Sequence, residues 1–199
     1  MDAAPGSKKV FLKFGAWTAW NYLWFTVLFP IVAYAAAIPT WLFCGPDLQR
    51  TILQASSVIR IPLVESGYEM VRQYNSDGEA SRLLLFYAIQ MLSSVSIVLA
   101  GVLAGIVLGA AFYIADKKLP LDLKAFFLCL AGCFSGLIYL VHLGNPDVNN
   151  RYFGLFLLPE FWLLIFWIPA FFSSFGFYGV LMCAVYWMLR LFREFRLIN

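Results

Sequence analysis

LLLFYAIQMLSSVSIVLAGVLAGIVLGAAFYIA, residues 83–115, has no charged side chain between Arg82 and Asp116. At about 1.5 Å per residue it is longer, as a helix, than the ~30 Å hydrocarbon core of a bilayer. Gly101, Gly105 and Gly109 recur at i, i+4 and i+8 within it, flanked by Ala100, Ala104 and Ala111. Residues at that spacing share one helix face, and a strip of small side chains lets a second backbone come close. In lipid no hydrophobic force separates a partner helix from the solvent, so such close contact is how helices associate. The stretch therefore predicts a packed membrane helix with a glycine zipper.

The rest of the chain agrees with that class. Of 199 residues, 62% are hydrophobic and only 13% charged, and the mean hydropathy is +0.80, well outside the range of ordinary soluble domains. The expected fold is all-α: a polytopic, multi-pass membrane protein forming a single membrane domain over residues 1–199. A net charge of +3 with no basic cluster interleaved with exposed aromatics gives no argument for nucleic acid.

Four crossings account for the pattern. Residues 1–16 form an arm carrying Lys8, Lys9 and Lys13, and 17–43 the first crossing, with Trp17, Trp20, Tyr22 and Trp24 near one end and Trp41 near the other, the aromatic belt of a spanning helix. Pro30 is expected to bend it, since it cannot donate to the carbonyl of Thr26, whose own hydroxyl stands nearby to soften the loss. Ala35, Ala36 and Ala37 after an apolar run resemble a leader cleavage site, but the run is long for one and rich in bulky rings. Residues 44–82 form an outer loop with two short amphipathic helices, one begun by Pro46-Asp47 and striped by Leu48, Ile52, Ala55 and Ile59, the other striped by Leu63, Val71 and Tyr74.

The second crossing is 83–115. After the 116–124 loop comes the third, 125–143, whose Ala125, Cys129, Gly132 and Gly136 make a second small-residue face. The tight loop suggests that these two helices form an antiparallel hairpin, seam to seam. Residues 144–168 are an outer turn followed by an interfacial or re-entrant segment with Trp162 and Trp167 at headgroup depth. The last crossing is 169–189, starting at Pro169, and 190–199 is a tail with Arg190, Arg193 and Arg196. The arm, the 116–124 loop and the tail hold nine of the 14 Lys and Arg, so the positive-inside rule places both termini in the cytoplasm and the protein in an inner or plasma membrane. A fifth crossing would put the arginine tail outside, against that rule.

Chemistry-bearing motifs are sparse. Cys44, Cys129, Cys133 and Cys183 read as packing residues, with neither a disulfide framework nor a metal set. His142, Asp147, Arg151 and Glu160 are a candidate outer polar cluster, the one arrangement resembling a titratable site, although Glu160 behind Pro159 also suits a helix start. Phosphate-loop, nucleophile-elbow and zinc-helix motifs are all missing. The expectation is a chain without catalytic residues, cofactor or metal. Its expected role is that of a non-catalytic subunit or accessory protein of a larger membrane assembly, such as secretion or conjugation machinery or a membrane immunity protein. It would act by helix packing through Gly101, Gly105, Gly109, Gly132 and Gly136, with the lipid bilayer and other membrane subunits as partners. An oligomeric channel or carrier lined by Gln90, Ser93, Ser94, Ser135 and Tyr139 and a membrane enzyme using His142 and Glu160 are the alternatives.

Overall fold

The computed structural model describes residues 5–57, 79–119, 123–143 and 159–198. Every regular element among them is a helix: α1 (Pro5–Phe43), α2 (Pro46–Ser57), α3 (Glu79–Ile114), α4 (Leu123–Leu143) and α5 (Pro159–Ile198). Three contain a segment long and apolar enough to cross a membrane, Lys8–Thr40, Ala88–Ile114 and Phe166–Phe195, whereas Lys124–Gly136 in α4 is a shorter apolar helix. The second amphipathic stripe, 63–74, lies outside the described residues.

Two boundaries differ from the sequence reading. Residues 5–16 are not a separate arm but the start of α1; Pro5 suits a first helical position, and the lysines that follow are good helix formers. Pro169 does not divide α5, so residues 159–168, expected as a separate interfacial segment, are continuous with the apolar segment Phe166–Phe195. A proline removes one hydrogen bond but does not end a helix whose neighbours hold it, and Pro169 is buried with its carbonyl turned to Gly136.

The core is the α3–α5 pair. The face of Gly101, Gly105 and Gly109 meets Ser174, Tyr178 and Met182 in the same order along both chains, so these helices run parallel. α1 runs antiparallel to α3, with Gly15 against Leu108 and Ala111 and the rings of Tyr34 and Phe86 at 5.5 Å. α4 runs antiparallel to α5, with Gly132 at Phe172 and Gly136 at Pro169. α2 lies against α3. The hairpin expected between residues 83–115 and 125–143 is therefore overturned: among the described residues α5 packs on both, and α3 and α4 share no substantial contact. The cause is α5 itself, which offers small residues on two faces, Ser174 toward α3 and Ser173 with Gly176 toward α4. A short connection makes neighbours in sequence antiparallel; it does not oblige them to touch.

α3 stops by a Schellman closure. Asp116 takes a left-handed φ of 55°, its N–H donates to the Tyr113 carbonyl at 3.0 Å, and the Lys117 N–H to that of Phe112 at 3.1 Å, satisfying carbonyls the helix end leaves open. Aspartate tolerates that conformation better than most non-glycine residues. The Asp116 carboxylate then lies 4.0 Å from Arg193 of α5. Both side chains are more than half exposed, so the pair adds little stability. It does bring the end of α3 to the end of α5, and Gly15 brings the start of α1 to the same place. The lysines of α1, those after α3 and the arginines of α5 thus gather at one end of the molecule.

Pro30 shows how the helices compensate for one another. It is buried within α1 and leaves the Thr26 carbonyl without its helical donor. The Thr26 hydroxyl does not help, because it donates to Leu23 O at 2.8 Å. The Trp167 indole N–H fills the gap from α5, donating to Thr26 O at 3.0 Å. Trp167→Phe should therefore lower stability by about 1 kcal/mol, the usual net value of such a bond. Pro30→Ala restores the missing backbone donor, so the same tryptophan change should cost less in that background. A double-mutant cycle on melting in detergent measures the difference, and equal costs in the two backgrounds would sink this account.

Candidate functional site

The constellation that the structure builds most completely is a seam of close backbone contacts on the two sides of α5. On the first side, a Cβ placed on Gly101 would run into the carbonyl and hydroxyl of Ser174. One on Gly105 would lie 2.6 Å from Tyr178 O, and one on Gly109 2.6 Å from Met182 O. On the second, a Cβ on Gly136 would lie 2.7 Å from Pro169 O and one on Gly132 3.2 Å from Phe172 O. Gly176 faces back toward α4, where a Cβ would meet Cys129 O and Cys133 N, each at 2.5 Å. All five glycines picked out from the sequence thus face protein backbone, but they face α5 and not one another. The residues missed were those of α5: the small residues of Ala170-Phe-Phe-Ser173-Ser174-Phe-Gly176 were a legible signal, overlooked because the segment's bulky rings dominate it.

Three helices are tied at the centre of the first seam. Ser174 is fully buried, and its hydroxyl donates to the Ile97 carbonyl of α3 at 2.7 Å. With that proton committed, the Tyr22 hydroxyl of α1 is the donor in its 2.8 Å contact with Ser174 Oγ. The Tyr22 ring also stacks on Tyr178, centroids 5.0 Å apart and planes 10° from parallel. Polar groups buried in an apolar medium need such partners, and here each of the three is satisfied. The chain of bonds is structural: it faces no solvent and leaves no donor open.

The polar residues expected to bridge helices or line a pore behave differently. Gln90, Ser93 and Ser94 are buried in α3, and Ser93 donates to the carbonyl of Gln90 in its own helix at 2.8 Å. Ser135 sits exposed on α4 and donates to Gly132 O at 3.0 Å. Serines that bond back one turn need no second helix. α3 and α4 do not pack together, so these residues form no common stripe among those described; the Tyr139 side chain lies outside them. The outer cluster is not described either: Asp147 and Arg151, and the side chains of His142 and Glu160, lie outside the described residues. The cysteines are free, with Cys129 and Cys133 packed on Gly176.

Long apolar helices and glycine-mediated backbone contacts define the class: an α-helical membrane protein. No family model, curated protein or solved structure matches the chain.

Proposed function

We propose that this chain is a non-catalytic integral membrane subunit or accessory protein of a larger membrane assembly, acting through helix packing. One observation carries the reading: the two flanking helices are largely uncommitted. Among the described residues α5 is the one substantial neighbour of α4, and the outer face of α4 presents Phe127, Leu128, Phe134 and Ile138. α1 similarly turns Trp17, Trp20 and Trp24 outward. Large rings and branched side chains on the outer faces of helices with one principal neighbour each are what a protein partner or lipid would cover. The glycine seam contributes differently from what the sequence suggested: α5 occupies it, so it holds the subunit together and leaves the flanks for partners.

A mild-detergent pull-down followed by mass spectrometry tests the reading. A stoichiometric partner is the expected result; the chain recovered alone or only as a homo-oligomer would favour the channel alternative and count against this one.

The topology belonging to this proposal has four crossings, α1, α3, α4 and α5, with both ends of the sequence in the cytoplasm. Its support is that these four helices alternate in direction and that the cationic segments meet at one end, as the positive-inside rule asks of a cytoplasmic face. A reporter fused after Asn199 should read cytoplasmic, and an external reading would require a different number of crossings.

A further inference from the structure

A groove of about 700 Å³ runs between α1 and α3. Its walls include Trp24, Phe25 and Leu28 of α1 with Ala100, Leu103 and Val107 of α3, and its size is that of a small-ligand site, ~300–1,000 Å³. Three polar side chains reach it, and the Thr18 and Tyr22 hydroxyls have their donors engaged, with Phe14 O at 2.9 Å and with Ser174. Asn21 commits one of its two amide N–H groups to Trp17 O at 2.7 Å and keeps the other. From Phe25 to Val32 the α1 wall is apolar, and an occupant held there by apolar contact fits it.

The charge lies beyond one end. At Phe14 and Trp17 the groove reaches the end of the molecule where the cations gather. Lys9 and Lys13 are exposed in the turns of α1 just before those rings, and Lys117 and Lys118 are exposed just past α3. Among the described residues none of these four lysines has a carboxylate partner, the ion pairs at this end being those of Arg190 and Arg193. Apolar walls ending at a tryptophan and unpaired lysines match one molecule in a membrane: a lipid with a negative head group. Basic residues beside a cleft between spanning helices recognise such head groups.

We propose that the α1–α3 groove is a binding site for an anionic phospholipid, one acyl chain lying along Leu28 to Phe14 and the phosphate held by Lys9 and Lys13. The inference goes beyond the subunit reading and does not depend on it. Full-length protein is incorporated into vesicles of equal parts phosphatidylglycerol and phosphatidylcholine, extracted in mild detergent, and its retained lipid is read by native mass spectrometry. Phosphatidylglycerol should be retained in preference to phosphatidylcholine. Lys9→Gln with Lys13→Gln should lower that retention by roughly fivefold per lysine, while Lys124→Gln, exposed at the start of α4, should leave it unchanged. Val107→Trp, which fills the groove, should lower retention of both lipids. Should that variant not fold, the two exposed lysines decide the matter. Equal retention of the two lipids, an equal loss on Lys124→Gln, or a lipid-free dimer placing a second copy in the groove would each overturn the proposal.

Discussion

Gly105→Leu should unfold or disassemble the protein in detergent under conditions where the parent chain is stable, at a cost of about 4 kcal/mol or more. The reason is what surrounds the missing side chain. A Cβ alone would lie 2.6 Å from Tyr178 O, 3.1 Å from Tyr178 Cα and 3.2 Å from Leu181 Cβ. Two of those three atoms are backbone and cannot rotate away. α3 and α5 would have to separate, and separation would not stay local, because Gly101 and Gly109 hold the same two helices one turn to either side. The Ser174–Ile97 hydrogen bond would open with them, exposing a carbonyl and a hydroxyl to lipid, where neither finds another partner. Gly105→Ala should fall between parent and leucine variant, since it brings the first carbon and none of the rest. Leu99, 56% exposed on the same helix, supplies the control: Leu99→Ala should shift stability by no more than about 0.5 kcal/mol. Size-exclusion profiles and melting curves of the four proteins test the order. A leucine variant that melts with the parent would show that the seam is not closely packed.

The all-helical class and the small-residue faces were legible because both are written in spacing. An i, i+4, i+8 run of glycine marks one side of a helix whatever lies opposite. What lies opposite is not written there. Glycine faces carry no complementary shape, so the faces of α3 and α4 fit each other on paper as well as either fits α5. Chain proximity favoured the hairpin, and the structure chose α5, whose serines offered a hydroxyl besides small size. The Trp167–Thr26 bond was illegible for a related reason. Pro30 announces that a carbonyl lacks a donor, but the donor is an indole 141 residues away, assigned from the sequence to the headgroup region by habit of its residue type. The break at Pro169 was overread for the opposite reason: a proline is a strong local signal that tertiary partners override. Of the site residues, the five glycines could be found and their partners could not.

Gly176→Leu should have a different consequence from the change on α3: release of α4 while α1, α3 and α5 remain together. The Gly176 Cβ position is 2.5 Å from Cys129 O and Cys133 N and 2.7 Å from Cys133 Sγ, so a leucine there pushes on the backbone of α4 at two places. α4 has no second substantial neighbour among the described residues to hold it. The first seam is untouched, because Ser174, Tyr178 and Met182 lie on another face of α5. Overpacking of about 3 kcal/mol would raise the open fraction of this one helix roughly a hundredfold. The cysteines report it. Cys129 and Cys133 are buried against α5, and Cys183 is buried seven residues beyond Gly176, on the same side of α5 and close to Cys129. In detergent a thiol-reactive maleimide, read by peptide mass spectrometry, should label all three much faster in the variant, while hydrogen exchange of the α3 peptides around Gly101 to Gly109 keeps its parental rate. Acceleration in α3 as well would mean that the α3–α5 core had opened, and that α4 is part of one cooperative unit with it. Parental rates throughout would mean that α4 does not rest on Gly176. Only the split result fits a helix held to the rest of the protein by a single face, the face that a partner subunit would leave in place while covering the others.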